Sequence, residues 1–83
     1  MASAMMKATF LGGLFHPWST TVDPTGILVQ GETYDVASID VRSWHTRIYL
    51  VRYEGLAFNS SMFKLDAAAQ FEMDRQIAQK GAL

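Results

Sequence analysis

The order of apolar and polar side chains along the chain predicts several short strands followed by one helix. Residues 7–12 predict a first strand, which Gly12-Gly13 would end. Residues 13–26 follow no regular pattern, and Asp23-Pro24-Thr25-Gly26 has the composition of a type I turn. After the short apolar run 27–29, Gln30-Gly31 predicts a second turn.

Residues 33–41 carry the longest strand pattern. Apolar Tyr34 and Val36 alternate with polar residues, and the alternation then resumes one step out of phase at Ile39 and Val41. Because side chains on a strand alternate strictly between the two faces, a slip of one residue predicts a β-bulge or a sharp bend at Ala37-Ser38.

Residues 47–53 are rich in β-branched and aromatic side chains and predict the central strand of the sheet. A regular strand over the whole segment would place Tyr49, Val51 and Tyr53 on one face and Ile48 and Leu50 on the other. Glu54-Gly55 would turn the chain into a return strand at residues 56–58.

The end of the chain changes to a helical composition. Residues 59–61 can start a helical turn by side-chain capping, after which Met62-Phe63 would plug the fold. Asp66 is a suitable N-cap for a helix that Gly81 would end. On this helix Ala69, Met73 and Ile77 share one face, while Phe71 points elsewhere.

These elements predict a single domain, 1–83, of mainly β (α+β) class. The expected architecture is a small SH3-like barrel of about five strands, within residues 7–65, with a C-terminal α-helix over about 66–80. An OB-like barrel fits less well, because the strands are few and their linkers are short.

Part of the chain also resembles a known group of proteins. The residues that carry this resemblance lie within 27–65 and are Leu28-x-x-Gly31-x-x-Tyr34-x-Val36, Ile48-x-Leu50, Gly55 and Phe58-Asn59-x-x-x-Phe63. This pattern resembles small phage-encoded accessory proteins with SH3-like barrels, of the anti-CRISPR and anti-defence type. The resemblance implies a protein that binds a host protein in the bacterial cytoplasm, and it implies no particular functional residue.

The composition and motifs of the chain argue against several kinds of functional site. The 83 residues include no cysteine and two histidines, His16 and His45, whose separation matches no metal-ligand motif. No nucleophile elbow and no phosphate-binding loop occurs, so we expect no catalytic residue, metal or cofactor, and a protein that is not an enzyme. No apolar run reaches the ~18 residues of a membrane span, and we expect no membrane partner.

The candidate partner-binding residues are mostly Arg and aromatic side chains, the types enriched at interaction hot spots. They are Arg42, Trp44, His45, Arg47, Tyr49, Arg52 and Tyr53, together with Trp18 in the irregular loop. A structural role is the alternative, with Trp44 capping the core, Tyr49 and Tyr53 packed under the helix, and Trp18 in a lid over the barrel.

The leading functional hypothesis is a non-enzymatic protein-binding module that inhibits a host defence component such as a CRISPR effector. A nucleic-acid-binding barrel that uses the same arginines is less favoured, because the net charge is −1. A structural virion component is a third alternative. The chain is expected to be a monomer or a homodimer.

Overall fold

The computed structural model describes residues 5–13, 21–42 and 46–81. Within these residues, five strands form one antiparallel sheet, and one α-helix follows it. The elements are β1 (Met6–Phe10), β2 (Thr33–Val41), β3 (Thr46–Leu50), β4 (Ala57–Asn59), a 3₁₀ helix (Ser60–Met62), β5 (Phe63–Leu65) and α1 (Ala67–Gly81). The fold class predicted from the sequence, a small mainly β barrel-like domain with a C-terminal helix, is confirmed.

The strands lie in the order β4-β3-β2-β1-β5, so β2 is the central strand. The prediction that residues 47–53 form the central strand is therefore wrong: β3 lies between β2 and the edge strand β4, and it ends at Leu50. The 3₁₀ helix joins the two edge strands β4 and β5 directly. It begins, as predicted, with the side chain of Asn59 accepting a hydrogen bond from the backbone N–H of Ser61.

The bulge predicted at Ala37-Ser38 is present in β2. Val36 pairs with Leu50 of β3, and the next pair joins Ser38 to Tyr49, so Ala37 is the extra residue. Both Val36 and Ile39 are buried, although three positions separate them. Without the bulge, the alternation would turn one of these two side chains away from the core.

The turns before β2 differ from the prediction in one detail. The N–H of Ile27 donates to the carbonyl of Pro24, so the turn spans residues 24–27 and not 23–26. Gly26 has φ +86°, which suits the third position of a type II turn, where a side chain would be strained. The apolar run 27–29 forms no strand and contributes only an isolated bridge between Thr25 and Leu28.

The buried apolar residues of the described chain form one cluster inside the curved sheet. Ile48 and Phe58 are 0% exposed, and Met62 and Phe63 are buried as predicted for a plug. Five aromatic rings form a continuous chain of contacts with centroids 5.6–6.5 Å apart, namely Phe10, Phe63, Phe58, Tyr53 and Tyr34. Three of the four contacts are edge-on and the one between Phe10 and Phe63 is tilted. Edge-on contacts between aromatic rings stabilise a core beyond the apolar area that they bury.

Helix α1 packs on the sheet through its N-terminal half. Ala69 is fully buried, Met73 is half-buried against the core, and Ile77 is 46% exposed. Asp66 is the N-cap, as predicted, and its Oδ1 accepts the N–H of Ala69 at 2.8 Å. No helix in the described part of the chain has the length and apolar character needed to cross a membrane.

Candidate functional site

The predicted binding segment contributes to the outer surface of the sheet. On β3, Ile48 and Leu50 point into the core, whereas Arg47 and Tyr49 lie on the opposite face and are half-buried. The alternation expected from the sequence therefore holds over the strand itself. We call the outer surface formed by β2, β3 and β4 the Tyr49 face; it consists of Ser38, Asp40, Arg47, Tyr49, Ala57 and Asn59.

Tyr49 stands between two small residues. The strand register places Ser38 of β2 on one side of it and Ala57 of β4 on the other. Directly paired residues on neighbouring strands bring their Cβ atoms to within about 5 Å, so the size of the neighbours decides how much of a ring stays accessible. Ser38 and Ala57 have short side chains, so these two direct neighbours leave space beside the tyrosine ring, which is half-buried.

The next row of the Tyr49 face carries charge. Arg47 lies between Asp40 of β2 and Asn59 of β4. Asp40 also accepts a hydrogen bond from Nε of Arg42 at 2.7 Å, and this hydrogen bond, with the attraction of the carboxylate, raises the pKa of Arg42. The row therefore offers two guanidinium groups and one carboxylate beside the tyrosine ring.

Tyr53 lies away from the Tyr49 face. The expectation that Tyr53 shares a face with Tyr49 is wrong, because β3 ends at Leu50 and residues 51–53 bend away. The ring of Tyr53 contacts Tyr34 and Phe58 edge-on, and its hydroxyl donates to the carbonyl of Ile27 at 3.4 Å. Its contacts are therefore with the core, and it forms no part of the Tyr49 face.

The other predicted binding residues divide into two groups. Arg52 is exposed in the bend after β3, next to Val51, which is 60% exposed. Trp18, Trp44 and His45 lie outside the described residues, so their role in binding stays a prediction. The structure thus brings Arg42, Arg47 and Tyr49 together.

A second surface, which the sequence analysis missed, lies on the outer side of β1. A groove of about 300 Å³ is lined by Lys7, Thr9, Thr33, Lys64, Leu65 and Asp66. Lys7 forms a salt bridge of 2.7 Å with Asp35, and the pKa of Lys7 is raised mainly by that hydrogen bond. The hydroxyls of Thr9 and Thr33 are 2.8 Å apart. The polar positions of β1 alternate with apolar ones, but only the register shows which strands bring the other groups beside them.

A third exposed feature is Phe71 on the outer side of α1, 70% exposed. It is flanked by polar side chains that already bond to one another: Gln70 donates to Asp74, and Arg75 donates to both carboxylate oxygens of Glu72. The pKa of Glu72 is lowered, first by the hydrogen bond from Arg75 and then by that from Gln76.

The described residues contain no group of three His, Asp or Glu side chains placed to hold a metal ion. Comparison with protein-family models, with curated proteins and with solved structures finds no match to this chain. The choice of the Tyr49 face as the candidate site therefore rests on the geometry of that face alone.

Proposed function

We propose that the chain is a non-enzymatic protein-binding module whose partner contacts the Tyr49 face. The observation that carries this proposal is the position of Tyr49, a half-buried aromatic ring between Ser38 and Ala57 with Arg47 in the adjacent row. Tyr and Arg are enriched among residues that dominate binding energy, since each combines a large contact area with directed hydrogen bonds.

The buried residues beneath the Tyr49 face also favour binding at this surface. Ile39, Ile48 and Phe58 lie directly beneath it and are buried, so the backbone that carries the exposed side chains belongs to the most tightly packed part of the sheet. A rigid platform loses little conformational entropy when a partner binds, which leaves more of the contact energy for affinity.

The proposed partner is a host protein in the bacterial cytoplasm, specifically a defence component such as a CRISPR effector. This part of the proposal rests on the resemblance of residues 27–65 to phage-encoded accessory barrels. A nucleic-acid partner is less favoured, because Arg42 is already paired with Asp40 and the chain has a net charge of −1.

The test is a pull-down from bacterial lysate with two matched double variants. Arg47→Ala/Tyr49→Ala removes a cation and an aromatic ring from the Tyr49 face. Lys64→Ala/Phe71→Ala removes the same two kinds of side chain from exposed positions on β5 and α1. Each bait is used with and without nuclease, and captured proteins are purified and titrated by calorimetry.

A partner that survives nuclease, binds the wild type and the Lys64/Phe71 variant equally, and binds the Arg47/Tyr49 variant at least about tenfold more weakly supports the proposal. Capture that disappears with nuclease would favour nucleic acid instead. Equal binding by the two double variants would show that the Tyr49 face is not the site.

A further inference from the structure

Helix α1 is fastened to β2 by the side-chain amide of Gln76. Its Oε1 accepts the backbone N–H of Val41 at 3.0 Å, and its Nε2 donates to the carbonyl of Ile39 at 2.6 Å. The same Nε2 donates to Oε2 of Glu72 at 2.8 Å, and Arg75 donates to that oxygen at 2.6 Å. Glu72 thus orients the amide of Gln76 towards the strand.

The amide bonds to a part of β2 that β1 does not reach. In the described residues, β1 pairs with β2 over Thr33–Val36, before the bulge at Ala37. Beyond the bulge, β2 pairs with β3 on one side, and the bonded groups of Ile39 and Val41 point to the other side. An amide offers an N–H donor and a carbonyl acceptor, so Gln76 supplies the kind of groups that the backbone of a neighbouring strand would supply.

The C-terminal half of α1 has few other attachments to the barrel. The fully buried helical residue is Ala69, in the first turn, and Met73 is half-buried. Beyond Met73, Ile77 is 46% exposed and the described side chains of residues 78 and 79 are exposed. Segments with little buried apolar contact open locally at low free energy, while the core stays folded.

We propose that the C-terminal half of α1 is a latch over a strand edge that pairs with a second copy of this chain when the latch opens. The edge is self-complementary. In an antiparallel pair centred on Asp40, the N–H of each Val41 faces the carbonyl of Ile39 in the second copy, and the two edges are related by a two-fold axis. This pairing uses the two backbone groups that Gln76 engages in the closed state.

The side chains near the two-fold axis are compatible with this pairing. The two Asp40 carboxylates would approach each other, and like charges directly opposite are unfavourable. Each Asp40 is, however, paired with Arg42 at 2.7 Å, so every carboxylate brings its own cation to the contact. Asp40 also belongs to the Tyr49 face, so the proposed edge adjoins the proposed binding surface. The latch and the pairing do not, however, require that a partner binds the Tyr49 face.

The experiment compares Gln76→Ala with Gln79→Ala, which removes an equal side chain from an exposed position of the same helix. Amide hydrogen exchange is measured by NMR at a concentration at which every variant sediments as a monomer, because pairing with a second copy would protect the N–H of Val41 again. Under that condition exchange at Val41 reports opening of the latch, and exchange at the fully buried Ile48 reports global unfolding. In Gln76→Ala we expect Val41 to exchange about tenfold faster or more, with Ile48 unchanged, because hydrogen bonds of this kind contribute on that scale. Gln79→Ala should exchange as the wild type does.

Sedimentation velocity over a range of concentrations tests the pairing. Gln76→Ala should shift towards the mass of a dimer as concentration rises, whereas Gln79→Ala should behave as the wild type. Adding Asp40→Arg to Gln76→Ala removes the carboxylate that pairs with Arg42 and leaves only cations at the contact. This repulsion should restore the monomer, while Val41 still exchanges fast. The latch is overturned if Gln76→Ala leaves Val41 protected or deprotects Ile48 equally. The pairing is overturned if the mass of Gln76→Ala does not change with concentration or if Asp40→Arg has no effect on it.

Discussion

The interior of the barrel and helix α1 are held in place by different kinds of contact. Inside the barrel, Ile48, Leu50 and Phe58 are almost completely buried, and the aromatic rings contact one another in series. On α1, full burial is limited to Ala69 among the described residues, while the phenylalanine of the helix is 70% exposed. Apolar burial therefore stabilises the barrel, and the helix depends more on its N-cap and on the amide of Gln76. We expect substitutions of the same kind to have very different effects in the two regions.

The largest effect is expected from the same substitution made at two phenylalanines. Phe58→Ala would leave a cavity under the sheet and lower the free energy of unfolding by about 3–5 kcal/mol, a large part of the stability of so small a domain. Phe71→Ala removes an exposed ring and should change it by no more than about 0.5 kcal/mol. Urea denaturation followed by tryptophan fluorescence measures both. Similar losses in the two variants would contradict the division between barrel and helix.

The next effect concerns Ala69, the fully buried residue of α1 among those that the structure describes. Ala69→Leu would insert a large side chain where the structure has no space, force the helix away from the sheet, and destabilise the fold by about 1–3 kcal/mol. Ala78→Leu, at an exposed position of the same helix, should be close to neutral. Thermal unfolding of the two variants makes the comparison. If Ala69→Leu were as stable as Ala78→Leu, the helix would not be packed as closely as its burial indicates.

Several local features of the barrel and of the helix can be predicted from the sequence. The slip in the alternation of β2 predicts the bulge, and the residue types at Asn59 and Asp66 predict both helix caps. These features are local, because each depends on residues within a few positions along the chain.

Features that join distant segments could not be predicted in this way. Nothing near Gln76 in the sequence indicates that its amide bonds to a strand 35 to 37 residues earlier. For the candidate site, alternation places Arg47 and Tyr49 outward, but the small neighbours of Tyr49 follow from a register that the bulge shifts. The expectation that Tyr53 lies beside Tyr49 is wrong because the pattern of residues 47–53 stays strand-like beyond Leu50, where the strand ends.

A smaller effect is expected at the N-cap of α1. The backbone N–H of Ala69, bonded to the carboxylate, lowers the pKa of Asp66 from its ordinary value of 3.8. A lowered pKa means that the ionised cap stabilises the fold above pH ~4 and that this stabilisation is lost as the pH falls through the folded-state pKa. Asp66→Ala should therefore lower Tm by a few degrees at pH 7 and less at pH 3. Asp66→Asn keeps a side-chain acceptor, so at pH 7 its Tm should fall much less than that of Asp66→Ala. If Tm fell equally in the two variants, the effect would come from the charge alone.

The smallest effect on stability is expected on the Tyr49 face, which shares β3 with the most buried residues of the barrel. Tyr49→Ala changes the outer side of the strand and leaves Ile48 and Leu50 in place, so it should cost no more than about 1 kcal/mol in urea denaturation. Leu50→Ala, one position along the same strand, should cost about 2–5 kcal/mol because it removes a side chain that is 1% exposed. A folded Tyr49→Ala variant that no longer binds its partner would then report the contact itself. If Tyr49→Ala were as destabilising as Leu50→Ala, the ring would be part of the packing of the barrel, and its half-buried state would not mark a binding surface.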